Sequence, residues 1–258
     1  MLLSDAQDIR LGDRGAEKVY CGDSLVWQPQ PPAPIRPVPS DYENLLYFSF
    51  TDGGNRAINT GFRPNNQLVS PVRFETRIRF PQWVATGANT AAILGGAYSD
   101  PVAGKQYYIY DLSVIPTTGT PRAGLASNIT GQFKGSTTTT IKQAATTLYE
   151  SQLGKWLNVE SEWSLSKVTV TLNGQKWQAS TQTPYKPYIN RDVWIGANGD
   201  PSLAPALAKR WLVADMAYAK LYDDTGTLVR DFVPAKRTID GVEGFWDFVT
   251  EQFFTSAM

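Results

Sequence analysis

Two glutamates, Glu160 and Glu162 in the segment E-S-E-W-S-L, have the spacing best suited to chemistry. Side chains at positions i and i+2 of a β-strand lie on one face, so these two carboxylates share a face. Paired carboxylates act as nucleophile and general acid in glycoside hydrolysis. No third acid follows them, because position 165 is Leu. Two acids on one strand are typical of a solvated sheet face, and the sequence predicts that the chain is not an enzyme.

The absence of histidine narrows the chemistry further. The 258 residues contain no His and one Cys, Cys21. This excludes the usual histidine-dependent nucleophiles and histidine-ligated metal sites, and a single cysteine forms no internal disulfide. No cofactor is therefore expected. Calcium remains an alternative at N-G-D-P (198–201) or Y-S-D-P (98–101), whose oxygen donors suit that ion, although both are also ordinary turn sequences.

The charge balance and hydropathy exclude two classes of partner. The 24 basic and 24 acidic residues give a formal net charge of zero, whereas nucleic-acid binding requires a basic face. No apolar run approaches the roughly 20 residues of a membrane span, and the start M-L-L-S-D-A-Q-D-I-R is too charged for a signal peptide. The sequence predicts neither nucleic-acid binding nor membrane insertion.

Aromatic side chains are the candidates for ligand binding, because sugar rings pack their apolar faces on aromatic rings while polar neighbours take the hydroxyls. The segment Q-Y-Y-I-Y-D places two tyrosines on one strand face, and T-P-Y-K-P-Y carries two more in a proline-stiffened loop. The candidate set is Tyr108, Tyr110, Tyr185, Tyr188, Trp83 and Trp177. For each of them, a half-buried position in a β-sandwich is the alternative.

Residues 41–258 carry the signature of an antiparallel sandwich. The segment V-R-F-E-T-R-I-R-F alternates over nine residues, which predicts a half-buried strand with Val72, Phe74, Thr76, Ile78 and Phe80 turned inward. Asn173-Gly174 is a favoured pair for a type I′ hairpin turn. Many such short strands between polar turns predict an all-β antiparallel jelly-roll fold. The one helical pattern, S-L-A-P-A-L-A-K-R, is short and contains Pro205.

Two smaller parts precede this domain. In residues 1–27, K-V-Y-C-G-D-S-L-V-W is typical of a β-hairpin around Gly22-Asp23. So short a segment buries too little surface to be stable alone, which predicts a docking role for Val19, Tyr20, Leu25, Val26 and Trp27. Residues 28–40 are rich in proline and favour a semi-rigid polyproline II spacer. The alternative is a linker that lies along the following domain.

The C-terminal segment L-Y-D-D-T-G-T-L-V-R-D-F-V-P-A-K-R, followed by D-G-V-E-G-F-W-D, resembles the concanavalin A-like (laminin-G-like) jelly rolls of bacteriophage virion proteins. I-N-T-G-F-R-P and R-F-E-T-R-I-R-F extend the resemblance over about 215 residues. Independently, I-R-L-G-D and E-K-V-Y-C-G-D-S-L-V-W-Q-P resemble the start of minor tail proteins of phages that infect actinobacteria. One departure concerns the closing hairpin, where Thr250-Glu251 replaces the family's frequent Asn-Gly.

The resemblance implies a virion protein of the minor tail or receptor-binding type, made in the host cytoplasm and placed on the particle, with the tail favoured over the head. The N-terminal segment would bind other virion proteins, and the lectin-like domain would bind a host surface glycan or protein. Weak binding sites gain strength in multiple copies, which favours a homo-oligomer such as a trimer. Two alternatives stay open: a decoration or assembly protein without a host ligand, and a glycan hydrolase.

Overall fold

The computed structural model describes residues 10–11, 14–15, 19–21, 24–27, 36–50, 56–64, 72–82, 91–100, 105–116, 122–132, 139–164, 167–180, 192–197 and 211–256. The chain divides into two compact units, Met1–Pro37 and Val38–Met258. In the first unit, β1 (Arg10–Leu11) pairs with β2 (Arg14–Gly15), and β3 (Val19–Cys21) pairs with β4 (Ser24–Trp27). The β3–β4 pairing is the predicted hairpin, whose turn residues Gly22 and Asp23 lie outside the described part.

The second unit is built from strands of two to twelve residues. In chain order they are β5 (Tyr42–Asn44), β6 (Phe48–Ser49), β7 (Ile58–Asn59), β8 (Val72–Arg79), β9 (Ala91–Asp100), β10 (Lys105–Pro116), β11 (Arg122–Gln132), β12 (Thr139–Tyr149), β13 (Trp156–Trp163), β14 (Lys167–Leu172), β15 (Gln175–Ser180), β16 (Trp194–Ile195), β17 (Asp215–Tyr222), β18 (Leu228–Arg237), β19 (Glu243–Asp247) and β20 (Gln252–Thr255). A single 3-10 turn, Glu150–Gln152, is found among the described residues.

Two antiparallel sheets account for these strands. In the described part of the chain, ten strands form one sheet in the order β15-β14-β13-β8-β17-β18-β19-β20, with β5 beside β18 and β6 beside β17. Six form the other in the order β12-β11-β10-β9-β16-β7. Early strands thus pair with late ones, which fixes the two ends of the domain together. The all-β jelly-roll prediction is confirmed.

The core lies between the sheets and follows the alternation that the sequence predicts. Residues of β8 alternate strictly between buried and half-buried, with Phe74 and Ile78 fully buried. In β13, Leu157, Val159 and Trp163 point inward as expected. Because each buried aromatic or aliphatic side chain contributes about 1.5–3 kcal/mol, this shared interior supplies most of the stability.

Two hairpin turns were singled out by the sequence. Asn173 and Gly174 both have positive φ, at 49° and 84°, which confirms the predicted type I′ geometry. In the closing hairpin, Glu251 takes a positive φ of 54° without an Asn or Gly. The carboxylate of Asp247 supports this turn, since it accepts hydrogen bonds from the Val249 amide (3.2 Å) and the Thr250 hydroxyl (2.7 Å).

The C-terminal hairpin of β17 and β18, together with β19, belongs to the framework of the domain. Leu221, Phe232, Phe245 and Trp246 are buried, whereas Leu228 and Phe248 are half-exposed. Arg230 and Asp231 point to opposite sides of β18, as alternation requires: the guanidinium donates to the Thr60 carbonyl at 2.7 Å, and the carboxylate lies 3.8 Å from Lys220.

Two long strands had no sequence prediction. β11 and β12 pair over eleven residues at the edge of the six-stranded sheet, and β12 begins within the threonine run at 137–140. Their residues are rich in Thr, Ala and Ser and lack the large alternating side chains that mark β8. The predicted short helix at 202–210 lies outside the described residues.

Candidate functional site

The outer face of the ten-stranded sheet, the side turned away from the core, is centred on β8. The half-buried positions of this strand carry Arg73, Glu75, Arg77 and Arg79. Alternate residues of a strand are about 6.8 Å apart, so the three arginines form a line along the sheet. No other described strand carries three cations on one face.

The strands on both sides of β8 bring polar side chains to this line. β13 and β17 both pair antiparallel with β8. Across β13, β8 and β17, the register gives two rows of Cα partners, Asn158–Arg77–Tyr218 and Glu160–Glu75–Lys220. Neighbouring strands are about 4.8 Å apart, so each row spans roughly 10 Å, a width that suits one or two sugar rings.

Tyr218 reaches this face through a β-bulge. The register shifts between Met216 and Tyr218, which makes Ala217 an extra residue in β17. Met216 is buried in the core, and the extra residue turns Tyr218 outward where simple alternation would have turned it inward. The carbonyl of Tyr218 accepts a hydrogen bond from the Thr76 hydroxyl at 2.6 Å. A buried threonine of the core therefore supports the bulge.

The three side chains of the row Asn158–Arg77–Tyr218 carry polar groups that have no hydrogen-bond partner in the described part of the chain. Within it, the Asn158 side-chain amide, the Arg77 guanidinium and the Tyr218 hydroxyl form no hydrogen bond or ion pair, whereas the Asn158 backbone amide donates to the Asn173 side chain at 2.9 Å. Asn158 is exposed, and the other two are half-exposed. Each can donate hydrogen bonds to a hydroxyl or an anionic oxygen of a ligand.

Aromatic rings and arginines stack beside this row. The Arg79 guanidinium lies 5.1 Å from the Tyr47 ring centroid and 5.0 Å from that of Trp156, and Arg77 lies 5.8 Å from Trp156. Tyr47 is 39% exposed. Cation–π contact holds these flat groups in place, and together they offer a platform on which a sugar ring can lie.

The second row contains two carboxylates directly opposite each other, Glu160 and Glu75. Glu75 contacts Arg73 at 2.9 Å and accepts a hydrogen bond from the Tyr222 hydroxyl at 3.2 Å. Glu160 has no hydrogen bond or ion pair within the described residues. Like charges directly opposite are destabilising in a sheet, so this arrangement is costly to the fold.

The two tyrosines of β17 respond to these charges. Burial, and then the charge of Glu75, raise the pKa of Tyr218, with Glu160 acting in the same direction and Arg77 opposing it. Burial and Glu75 also raise the pKa of Tyr222. Both phenols are therefore protonated at neutral pH and able to donate a hydrogen bond.

The predicted pair Glu160 and Glu162 shares a face, but the two residues have different surroundings. Glu162 accepts hydrogen bonds from Lys176 and the Thr169 hydroxyl, both at 3.1 Å. Burial raises the pKa of Glu162, but the contact with Lys176 and these hydrogen bonds outweigh burial and lower the pKa overall. Glu162 is an engaged strand-face residue, as expected, whereas Glu160 faces Glu75.

Of the predicted ligand-binding residues, one is wrongly assigned and one is partly covered. Tyr110 is 1% exposed and packs edge-on against Trp163, so its aromatic ring belongs to the core. Trp177 is half-exposed on the edge strand β15 and packs against the core. Trp83, Tyr185 and Tyr188 lie outside the described residues, as does the side chain of Tyr108.

The predicted docking residues, Val19, Tyr20, Leu25, Val26 and Trp27, lie in β3 and β4, but their side chains are outside the described part. Of the calcium candidates, residues 101 and 198–201 are outside it, as are the side chains of residues 98–100. Among described residues, no group of three His, Cys, Asp or Glu could hold a metal ion. The same part of the chain contains no helix with the length and apolar character to cross a bilayer.

Sequence reasoning missed Arg77, Asn158, Tyr218 and Trp156 as candidate binding residues. The outward arginines of β8 were visible in the alternation, but nothing in the sequence showed which of them would find a partner. The one available signal for Tyr218 was Thr76, a polar residue at an inward position of a strand.

No protein-family model matches the sequence, and the curated proteins gave no match. Solved structures do show similarity. Domains LG4–5 of the mouse laminin α1 chain align with 75% of this chain and 45% of their own length, at 12% identity and a TM-score of 0.39. The enzymatically active domain of tailspike protein 2 from bacteriophage CBA120 aligns with 74% of this chain and 30% of its own length, at 11% identity and a TM-score of 0.42.

An alginate lyase from Pseudomonas aeruginosa aligns with 60% of this chain and 74% of its own length, at 14% identity and a TM-score of 0.37. The chain spans less than half the length of the laminin and tailspike structures. At these identities the similarity concerns the fold: a jelly-roll domain of the kind found in laminin LG domains and phage tailspikes.

One prediction is overturned by this set. The sequence led us to expect that the chain is not an enzyme, yet the similar structures include enzymes: alginate lyases, a glycoside hydrolase family 16 endo-glucanase from Bacteroides ovatus and the tailspike domain. The expectation rested on the missing third acid after Glu162, and it did not consider carboxylates from neighbouring strands, such as Glu75 opposite Glu160.

Proposed function

We propose that this protein is a phage virion protein whose jelly-roll domain binds a polysaccharide of the host cell surface through the outer face of the ten-stranded sheet. The observation that carries the proposal is the row Asn158–Arg77–Tyr218, whose polar ends have no partner among the described residues. Water can solvate these exposed and half-exposed groups in the free protein, so a ligand can take their hydrogen bonds without breaking an internal contact.

The chemistry of this face suits a sugar. Trp156 and Tyr47 offer flat apolar surfaces beside the row, and the arginines stacked on them keep those rings oriented. Stacking supplies affinity, while directional hydrogen bonds from the amide, guanidinium and phenol supply orientation. The groups lie on paired strands of a sheet, so little order must be imposed when a ligand binds.

For the place of the protein in the particle, we propose a tail protein of the minor tail type, as the sequence resemblance implies. In this proposal residues 1–27 bind other virion proteins through the β3–β4 hairpin, and residues 28–40 separate that segment from the domain. Several copies would act together, because a single shallow sugar site binds weakly and multivalency multiplies its strength.

Binding of the fluorescently labelled full-length protein to actinobacterial cells tests the proposal. The test variant combines Arg77→Gln with Tyr218→Phe. Its matched control combines Arg237→Gln with Tyr149→Phe, which makes the same chemical changes away from the row, at a half-exposed and an exposed position. We expect binding by the wild type and the control, and at least tenfold weaker binding by the test variant. Equal binding by all three proteins would refute this site, and binding to no cell type would favour a decoration protein without a host ligand.

A second function, cleavage of the bound polysaccharide, is favoured by one specific observation. Glu160 and Glu75 are directly opposite each other on adjacent strands, with the Tyr218 phenol in the field of both. Two carboxylates at one sugar site are the groups that glycoside hydrolysis requires. In this candidate function Glu160, the carboxylate without an internal partner, would act on the sugar directly.

Size-exclusion chromatography of polysaccharide extracted from bound cells tests cleavage. We expect shorter products after incubation with wild type, and none with Glu160→Gln. Glu162→Gln is the matched control, because it makes the same change two residues away on the same face, where Lys176 already engages the carboxylate. Shorter products from all three proteins would mean that another group performs the reaction.

A further inference from the structure

The outer face of the ten-stranded sheet is divided into two halves of opposite character. One half contains the rows of Arg77 and Arg79, with Trp156 and Tyr47 beside them. The other half contains the rows of Glu75 and Arg73, which also carry Glu160 and Glu162. The first half is cationic and aromatic, whereas the second is rich in carboxylates.

Internal pairing leaves one cation of the arginine line available. Arg73 pairs with Glu75 at 2.9 Å. Arg79 donates to the Asp215 carboxylate from Nε at 3.0 Å and from its terminal nitrogen at 2.6 Å. Arg77 has no carboxylate partner in the described part of the chain. The Trp156 ring centroid lies 5.8 Å from its guanidinium carbon, a contact that uses none of its N–H donors.

The surroundings of Arg77 favour an anion on its aromatic side. Asp215, the carboxylate of that half, has a side chain only 8% exposed and lies against Arg79. Glu160 belongs to the neighbouring row on the same face, and the Trp156–Arg79–Asp215 row lies on the opposite side of Arg77. A guanidinium fork matches the two oxygens of a carboxylate, and the platform beside it fits the ring that bears that group.

We propose that the ligand of this face is an anionic polysaccharide whose sugar carboxylate is received by Arg77 while its ring lies on Trp156. This inference rests on the proposed function and adds the substrate class to it. The Asn158 amide and the Tyr218 hydroxyl then take oxygens on the two sides of the carboxylate, since both are Cα partners of Arg77. A neutral glycan would leave the one available guanidinium without a matching group.

The test uses the polysaccharide extracted from cells that the full-length protein binds, so its outcome is separate from that of the adhesion experiment. One portion is treated to reduce its carboxylates to uncharged hydroxymethyl groups, a second is treated to remove phosphate esters, and a third is left intact. Binding of the immobilised full-length protein to each portion is measured by interferometry. We expect reduction of the carboxylates to weaken binding at least tenfold, and removal of phosphate to leave it unchanged.

Three variants test whether Arg77 is the residue that recognises the sugar carboxylate. Arg77→Gln should bind the intact polysaccharide at least tenfold more weakly and should no longer distinguish intact from reduced material. Arg77→Lys keeps the positive charge but loses the forked pair of donors, so its binding should be intermediate between that of Arg77→Gln and that of the wild type. Arg237→Gln removes an equal charge at a half-exposed position away from the row, where the guanidinium pairs with Asp240, and should bind as wild type. The thermal midpoint should not change in the two Arg77 variants, because the Arg77 side chain makes no described hydrogen bond.

Undiminished binding to the carboxylate-reduced portion would overturn the inference while leaving adhesion intact. Loss of binding only after phosphate removal would overturn it in favour of a phosphate-bearing polymer. If wild-type protein binds no cells at all, the proposed function itself fails, and this inference fails with it.

Discussion

Arg77 and Arg230 lie on strands of the same sheet and differ in what surrounds them. The Arg230 guanidinium donates to the carbonyls of Thr60 and Val229, at 2.7 and 2.6 Å, and lies 3.6 Å from the buried Asp247 carboxylate. Arg77 has only the face of Trp156 beside it. One arginine is fully used by the fold, and the other is presented at a surface.

The same contrast holds for the carboxylates of the two regions. Asp247 is 0% exposed and accepts hydrogen bonds from the amides of Asp231 and Val249 and from the Thr250 hydroxyl. Glu160 is half-exposed, has no such donor among the described residues and faces Glu75. Polar groups that hold the fold together are satisfied internally, whereas those of the proposed ligand-binding face have no partner within the described residues. The difference separates framework from site within a single sheet.

The largest expected effect is the loss of Asp247. Asp247→Ala leaves the buried amide of Asp231 without its acceptor and the nearby Arg230 guanidinium without its carboxylate partner, which should lower the free energy of unfolding by about 3–5 kcal/mol. Arg77→Gln should change it by less than about 0.5 kcal/mol. Urea unfolding followed by tryptophan fluorescence measures both. Asp247→Asn, which keeps one acceptor oxygen, should be intermediate, and equal destabilisation by Arg77→Gln would abolish the distinction between the two regions.

The second largest effect is expected at Thr76, a core residue that contacts the Tyr218 backbone. Thr76→Val removes the hydroxyl that donates to the Tyr218 carbonyl at 2.6 Å and leaves that carbonyl without a described partner. We expect a loss of about 1–3 kcal/mol, with weaker cell binding because the bulge no longer holds Tyr218 in place. Binding is compared at a temperature where every variant is folded.

Thr171→Val is the matched control for this change, since Thr171 lies on β14 with its side chain on the outer face of the same sheet. It should alter neither stability nor binding. A Thr76→Val protein that is destabilised yet binds with full strength would show that Tyr218 does not depend on the bulge for its role.

The sequence predicts the internally bonded framework better than the proposed binding face. The framework is predictable because it depends on local patterns: alternation placed Phe74, Ile78 and Trp163 in the core, and Asn173-Gly174 specified a turn. The site depends on register between strands far apart in the chain. Glu75 and Glu160 are 85 positions apart, and one bulge decides the direction of Tyr218.

Tyr110 shows the opposite error. Its segment Q-Y-Y-I-Y-D is typical of an exposed aromatic strand, yet Tyr110 packs against Trp163 between the sheets. An aromatic residue on an alternating strand has two faces available, and the sequence does not state which face is covered by the second sheet. β11 and β12 were not predicted for a related reason. Their side chains are mostly small, so the two faces of each strand differ little in hydrophobicity.

The third effect concerns the hydroxyl of Tyr218 alone. Tyr218→Phe removes one neutral hydrogen bond to the ligand, so cell binding should weaken about threefold to tenfold, and stability should not change. Tyr222→Phe is the comparison on the same strand, because the Tyr222 hydroxyl donates to Glu75 and is already engaged. A larger loss of binding in Tyr222→Phe would move the ligand toward the carboxylate-rich half of the face.

The smallest effect is on the titration of Tyr218, and it tests whether the two rows act on each other. Burial and the carboxylates of Glu75 and Glu160 raise the pKa of this phenol above its ordinary value, and Arg77 opposes them. Removing a neighbouring negative charge makes the phenolate easier to form, so Glu75→Gln should lower the Tyr218 pKa, and Glu160→Gln should lower it by less. Arg77→Gln removes a positive charge and should raise it. NMR of protein with ¹³C-labelled tyrosine, assigned with Tyr218→Phe, measures all three. Shifts of one sign in every variant would mean that the substitutions act by changing the burial of Tyr218, and the electrostatic link between the rows would then be wrong.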